Sequence, residues 1–200
     1  MGFLACRVYS ENKQIDCRLE QMEIDDLGEG EVVIRVAWSG LNYKDALAAT
    51  GQGRILRKSP LVGGIDVAGT VVESDSDEFL PGDKVLANGS GLSETRDGGF
   101  SEYLRLPANI LVRLPAGLSM REAMGLGTAG FTAALSLYRM EANGQTPAMG
   151  PVVVTGCAHP GVVNICRAAK EQTGVAPASR VDAGMTPNAT DTAGNYVSGV

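Results

Sequence analysis

EVVIRVAWS, residues 31–39, sorts its side chains onto two faces. Val32, Ile34, Val36 and Trp38 fall on one side of an extended segment, and Val33, Arg35, Ala37 and Ser39 on the other, the period-two signature of a half-buried strand. GIDVAGTVVES (64–74), DKVLANG (83–89) and GFSEYLRLP (99–107) read as further short strands. Turns bearing glycine or proline divide them, Pro81-Gly82-Asp83 most plainly. Strands of this length and spacing predict a mostly β fold, a small barrel or sandwich, up to about residue 115. NYKDALAATG (42–51) departs from the pattern as a brief helix closed by Gly51.

The periodicity changes at Ser119. Ser119 with Glu122 three residues on forms a capping box, and MREAMGLG (120–127) and FTAALSLYRMEANG (131–144) carry helical apolar spacing that ends at Asn143-Gly144. A strand over Val152–Val154, a glycine turn and a helix over roughly 161–172 are predicted next. The stretch ASRVDAGMTPNATDTAGNYVSGV (178–200) is rich in small and polar residues and lacks the apolar density for a core of its own. Three segments follow: 1–118, a barrel; 119–175, linking helices and the start of an α/β unit; and 176–200, a poorly ordered tail.

Bulk composition narrows the function classes. The 200 residues are 44% hydrophobic, with a net charge of -6 and no Lys/Arg-rich stretch, which argues against nucleic acid as a partner. No apolar run reaches the ~18 residues of a membrane span, and the N-terminus lacks a secretory core, so a cytoplasmic protein without a membrane partner is expected. Cys6, Cys17, Cys157 and Cys166 form no CxxC pair and read as reduced, buried thiols. One histidine and dispersed cysteines do not make a zinc site, so no metal is expected. A hydrolase would depend on His159 as its base, yet no Gly-x-Ser-x-Gly elbow surrounds any serine.

Three stretches carry candidate chemistry. Asn42, Tyr43 and Asp45 stand where a strand gives way to a helix, a place for cleft-lining polar groups, although Asn42 or Asp45 could equally cap the helix and Tyr43 could be core. In GLGTAGFTAAL (125–135), Gly125, Gly127 and Gly130 interrupt a helical pattern at up to ~1 kcal/mol each relative to alanine. Either close backbone packing or approach of a ligand explains them, and Thr128 could donate to a phosphate or a nicotinamide amide. VVVTGCAHPGVV (152–163) looks like a dinucleotide turn, with Gly156 for the bend and Gly161 for approach of a pyrophosphate. Pro160 removes an N–H that a phosphate would use, and the residues from Gly156 to Val200 can hold one βαβ unit at best. Cofactor binding is therefore expected to be weak or absent.

Six ordered motifs carry a resemblance over about residues 3 to 156: SGLNYKDALAATGQGRI, GIDVAGTVVES, PGDKVL, GGFSEYLRLP, LPAGLSMREAMGLGTAGFTAAL and GPVVVTG. Together they resemble zinc-independent medium-chain dehydrogenases/reductases, in the quinone-oxidoreductase and acryloyl-CoA reductase branch. The resemblance implies a mostly β fold with α: a GroES-like barrel plus a truncated α/β Rossmann-like appendage. For residues 176–200 it implies an alternative to a poorly ordered tail, a remnant of the far end of the family fold. It also implies NADPH-dependent hydride transfer to the β-carbon of an α,β-unsaturated carbonyl compound or thioester. A small-molecule substrate is implied with it. Asn42, Tyr43 and Asp45 would line the nicotinamide and substrate cleft as catalytic residues, and Thr128, Gly156 and Gly161 would contact the cofactor. Two departures stand out: Gly63 where the family usually has proline, and Arg96-Asp97 where it commonly has a His-Trp pair, so that a charge replaces an aromatic wall of the cleft. The rival reading is a non-enzymatic barrel that self-associates through an apolar face around Phe131, Leu135 and Val152–Val154. A homo-oligomer is expected.

Overall fold

The structure is a computed structural model that describes residues 2–11 and 14–144, together with 167–168, 171–172, 189–190 and 196–197. Two compact units divide the chain, Met1–Thr128 and Ala129–Val200.

The first unit is sheet-rich. A long antiparallel hairpin, β1 (Gly2–Glu11) and β2 (Gln14–Glu23), pairs along its whole length and is joined on its other side by β4 (Leu61–Val62), in the order β2-β1-β4. The second sheet contains β3 (Val32–Trp38), β5 (Asp66–Ser74), β6 (Lys84–Asn88), β7 (Tyr103–Leu106) and β8 (Val112–Arg113), in the order β7-β3-β5-β6-β8. An isolated bridge joins Ala5 of β1 to Ser101, just before β7. Val32, Ile34, Val67, Val71, Val85, Leu104 and Leu106 interdigitate in the main core with Phe79 and Leu92. Aliphatic residues of this kind, almost wholly removed from water, stabilise the fold by roughly 1.5–3 kcal/mol each.

Val32, Ile34 and Val36 face the main core as the alternation predicts, but Val33 on the opposite face is buried too, and the register against β5 shifts between Val33 and Ile34 and again after Val36. Ala37 is an extra residue against β5, where Val36 pairs with Gly69 and Trp38 with Ala68. Such a bulge re-aims the side chain that follows it. Trp38 consequently lies 48% exposed, with the Arg121 guanidinium 5.9 Å from its ring centroid. The hairpin β1–β2 has no clean hydrophobic alternation in sequence, because Met22 is the one fully buried residue of β2 while Leu19 is 72% exposed.

Helix α1 (Tyr43–Thr50) ends, as its sequence requires, on Gly51 in the left-handed conformation, φ 72°. Helix α2 (Met120–Ala142) begins at the Ser119–Glu122 box: the Ser119 N–H donates to Glu122 Oε2 at 2.9 Å, and the Glu122 N–H to Ser119 Oγ at 3.2 Å. The first unit runs past Ser119 to Thr128 because Ala123 and Met124 pack on Ala68 of β5. At Gly127 the helix breaks, with φ 52° and ψ -160°. Beyond residue 175, expected as a tail, the described residues form one short antiparallel ladder, β9 (Ala189–Thr190) with β10 (Tyr196–Val197). The strand and turn predicted over 152–163, with Gly156, Gly161 and His159, lie outside the described residues. No helix among the described residues is long and apolar enough to cross a membrane.

Candidate functional site

Two of the sequence-derived site residues, Asn42 and Thr128, meet at a side chain the sequence reading passed over. Asp66 opens β5 and is 1% exposed. Buried carboxylates are rare unless well partnered, and this one is. Its Oδ2 accepts from the Asn42 side-chain amide at 2.7 Å and from the Thr128 backbone N–H at 2.9 Å. Its Oδ1 accepts from the Asn88 amide at 2.7 Å and from the Thr128 hydroxyl at 2.5 Å. The Ser39 hydroxyl donates to its backbone carbonyl at 2.6 Å. The carboxylate thereby ties together the cap of α1, the end of β6 and the break in α2, and the backbone carbonyl of the same residue holds the end of β3.

The break is what allows the last of these ties. A Cβ on Gly127 would lie 2.6 Å from Asp66 Oδ2, and one on Gly40 3.1 Å from the Met124 carbonyl and 3.3 Å from Asp66 Oδ2. Of the glycines in the α2 pattern, Gly127 is the one whose absent side chain and positive φ the site uses. Gly125 has open space around it.

Asn42 and Thr128 are thus brought onto a single oxygen, and Tyr43, next to Asn42, is 52% exposed. Asp45 is placed differently. It is 4% exposed, with Oδ2 accepting from the Asn42 N–H at 2.8 Å and Oδ1 from the Ile65 N–H at 3.0 Å. That is the capping role the sequence left open as the alternative to a cleft-lining one. Burial pushes the Asp45 carboxyl above its ordinary value, and the nearby negative charge of Asp66 adds to this against the opposing backbone hydrogen bonds.

Both departures from the family pattern have structural roles. The Gly63 N–H donates to the Cys6 carbonyl at 3.0 Å, a bond proline could not make. Asp97 does not put a charge in a cleft. It is 8% exposed, and its carboxylate accepts from the Val62 N–H at 2.9 Å and the Gly28 N–H at 3.1 Å. Its acceptors replace the expected aromatic wall with a clamp between β4 and the loop before β3.

A cavity of about 150 Å³ adjoins α1, lined by Cys6, Cys17, Leu41, Asp45, Ala48 and Phe100 among others. A larger cleft of about 320 Å³, lined by Glu29, Glu31, Glu73, Asp75 and Arg105, shares no residue with the Asp66 cluster. Among the described residues no group of three or more His, Cys, Asp or Glu is placed to hold a metal ion.

Residues 28–116 match the alcohol dehydrogenase GroES-like domain. The Bacillus subtilis protein YhfP, named for quinone oxidoreductase activity, is 47% identical over 154 residues, which are 77% of this chain and 47% of the relative. This chain carries a GroES-like domain and is similar to medium-chain dehydrogenases/reductases. Acrylyl-CoA reductase AcuI of Ruegeria pomeroyi is 45% identical over 148 residues, 74% of this chain and 45% of AcuI. The crystal structure of the Salmonella enterica oxidoreductase yhdH in complex with NADP superimposes with a TM-score of 0.72 at 43% identity, over 76% of this chain and 46% of that one. The branch and the GroES-like fold expected from the six motifs are those of these relatives. The chain spans about half the length of each.

Proposed function

We propose that this chain forms the substrate-side barrel of an NADPH-dependent reductase acting on activated C=C bonds of the acryloyl-CoA or quinone type. The supporting observation is the convergence of Asn42 and Thr128 on Asp66 Oδ2, in a chain 47% identical to YhfP. NADPH, when bound, supplies the hydride. The described residues fit its nicotinamide end. Thr128 gives its hydroxyl proton to Asp66 and so meets a ligand as an acceptor, which suits the N–H of a carboxamide. Asn42 is oriented by Asp66. Tyr43, partly in solvent, is the better placed of the two to donate to a substrate carbonyl oxygen as negative charge gathers there. Asp45 positions these groups by capping α1 and does not itself meet substrate. The residues that would take the pyrophosphate, Gly156 and Gly161, are outside the described set.

Because the aligned region covers 47% of YhfP, the 200-residue chain by itself is expected to bind NADPH weakly or not at all. Isothermal calorimetry checks this directly. Saturable binding in the low micromolar range would overturn the expectation and give this polypeptide the full coenzyme site.

A second reading, a barrel that binds or self-associates without catalysis, is favoured by one observation in the second unit. Phe131, Leu135 and Tyr138 recur at helical spacing and are 58%, 42% and 65% exposed. Bare apolar faces of this kind favour association. Size-exclusion chromatography with light scattering is expected to give a species larger than a monomer, and a monomer at all concentrations would remove this reading. The hydrolase alternative depended on His159, about which the described residues say nothing.

A further inference from the structure

The thiols of the N-terminal hairpin do not fit the expectation of buried cysteines. Cys6 is half-buried and Cys17 is exposed, and their sulfurs lie 3.2 Å apart across β1 and β2. The register pairs Cys6 with Leu19 and Val8 with Cys17, so the two cysteines are diagonal neighbours on one face of the ladder. Diagonal pairs in an antiparallel sheet lie within reach of each other's side chains. A disulfide needs its sulfurs about 2.05 Å apart and its Cα atoms within about 6.8 Å, so closure brings the sulfurs ~1 Å nearer and draws the two strands together at this point.

We propose that Cys6 and Cys17 form a cross-strand dithiol that closes reversibly to a disulfide by exchange with a low-molecular-weight disulfide such as oxidised glutathione. The Cys17 thiolate attacks one sulfur of the glutathione disulfide, making a mixed disulfide and expelling one glutathione thiolate. Cys6 then loses its proton and attacks Cys17 Sγ, forming the Cys6–Cys17 bond and expelling the second glutathione. Two protein thiols are oxidised, one disulfide is reduced, and the two protons the cysteines lose pass to the two expelled glutathione thiolates.

The order of attack follows from the surroundings. Burial, together with the Cys17 thiol beside it, pushes Cys6 up to about 11, whereas Cys17 lies open to solvent. The frame also favours closure. The Cys6 N–H donates to the Phe100 carbonyl at 2.8 Å and its own carbonyl accepts from Gly63, so Cys6 is fixed on both sides. Cys17 sits on the edge strand β2 and is the partner able to move. Both line the cavity whose other wall is α1 with Asp45 and Ala48, so the bond would form across the cavity floor.

The test uses the full chain, incubated with oxidised glutathione, alkylated and digested with trypsin without reduction. Cleavage after Arg7, Lys13 and Arg18 separates the two cysteines into Met1–Arg7 and Gln14–Arg18. The expected result is loss of two of the four thiols without retained glutathione, with those two peptides joined and released by dithiothreitol. The Cys6→Ser variant should instead accumulate a stable glutathione adduct on Cys17. A wild-type chain that keeps glutathione on Cys17, links Cys6 or Cys17 only to Cys157 or Cys166, or leaves both unreacted overturns the proposal. So does a Cys6→Ser variant that traps no adduct.

Discussion

Asp66→Asn is expected to lower the unfolding free energy by about 2–4 kcal/mol, and Asp66→Ala by about 3–5. Asparagine offers one acceptor oxygen where aspartate offers two, and its NH2 must face one of two donor pairs. If it faces Asn88 and the Thr128 hydroxyl, that hydroxyl can rotate to accept and one donor is left unmatched. Facing Asn42 and the Thr128 backbone N–H leaves two donors opposed, since a backbone N–H cannot reverse. The first arrangement is therefore the one the variant adopts, and alanine loses more because it restores no acceptor. Urea unfolding followed by fluorescence of Trp38, the single tryptophan, gives the midpoint. A midpoint unmoved by either substitution would mean the carboxylate does not hold the cap of α1, the end of β6 and the break in α2 together.

The same variant has a second readout. Asp66 charge is one of the causes that raise Asp45, after burial, so neutralising it should lower the Asp45 titration midpoint in carboxyl-carbon NMR. The sign for stability follows from proton linkage. With its folded value raised, Asp45 binds protons more tightly in the folded chain. Its contribution is therefore greatest below the ordinary carboxylate value and is lost as pH rises through the folded one. Asp66→Asn narrows that window.

Much of the barrel was legible because local patterns and local chemistry agree. The segments containing β3, β5, β6 and β7 were all visible as short apolar runs between turns, and Gly51 and Ser119–Glu122 marked helix ends through interactions spanning a few residues. The hairpin β1–β2 was not visible, since a ribbon that buries Phe3, Ala5 and Val8 but little of β2 shows no steady alternation. Trp38 was placed on one face with Val32, Ile34 and Val36 because a bulge changes the register without leaving a mark in composition.

Site residues fared unevenly for a similar reason. Asn42, Tyr43 and Thr128 could be singled out by their settings, but the group that gathers Asn42 and Thr128 could not be derived from spacing. Asp66 is 24 residues from Asn42, 22 from Asn88 and 62 from Thr128. One signal was present: an aspartate between Ile65 and Val67, in a run otherwise apolar enough to be wholly buried. A charge in that position implies distant partners, even when it does not say which. Asp97 carried a weaker version of the same message, and its partners, the N–H groups of Val62 and Gly28, are backbone and have no sequence signature.

Gly127→Ala and Gly125→Ala, two residues apart in one helix, are expected to shift stability in opposite directions. At Gly127 a methyl group would stand 2.6 Å from Asp66 Oδ2, on a backbone with φ 52° and ψ -160°, which side-chain-bearing residues scarcely populate. Relieving the clash means withdrawing either the carboxylate or the Thr128 amide that follows it, and each movement breaks hydrogen bonds at the centre of the cluster. The expected loss is about 2–4 kcal/mol, the sum of backbone strain and a weakened buried acceptor. Gly125 is helical and meets nothing within 4 Å, so alanine there removes freedom from the unfolded chain and should add roughly 0.4–1 kcal/mol. Paired urea titrations measure both. Because the exchanges are chemically identical, helix propensity alone would move both midpoints upward, and that result would show that the break at Gly127 is incidental to the Asp66 site. A fall confined to Gly127→Ala would instead tie the positive φ to the seat of Thr128, on which the nicotinamide side of the proposed cleft depends.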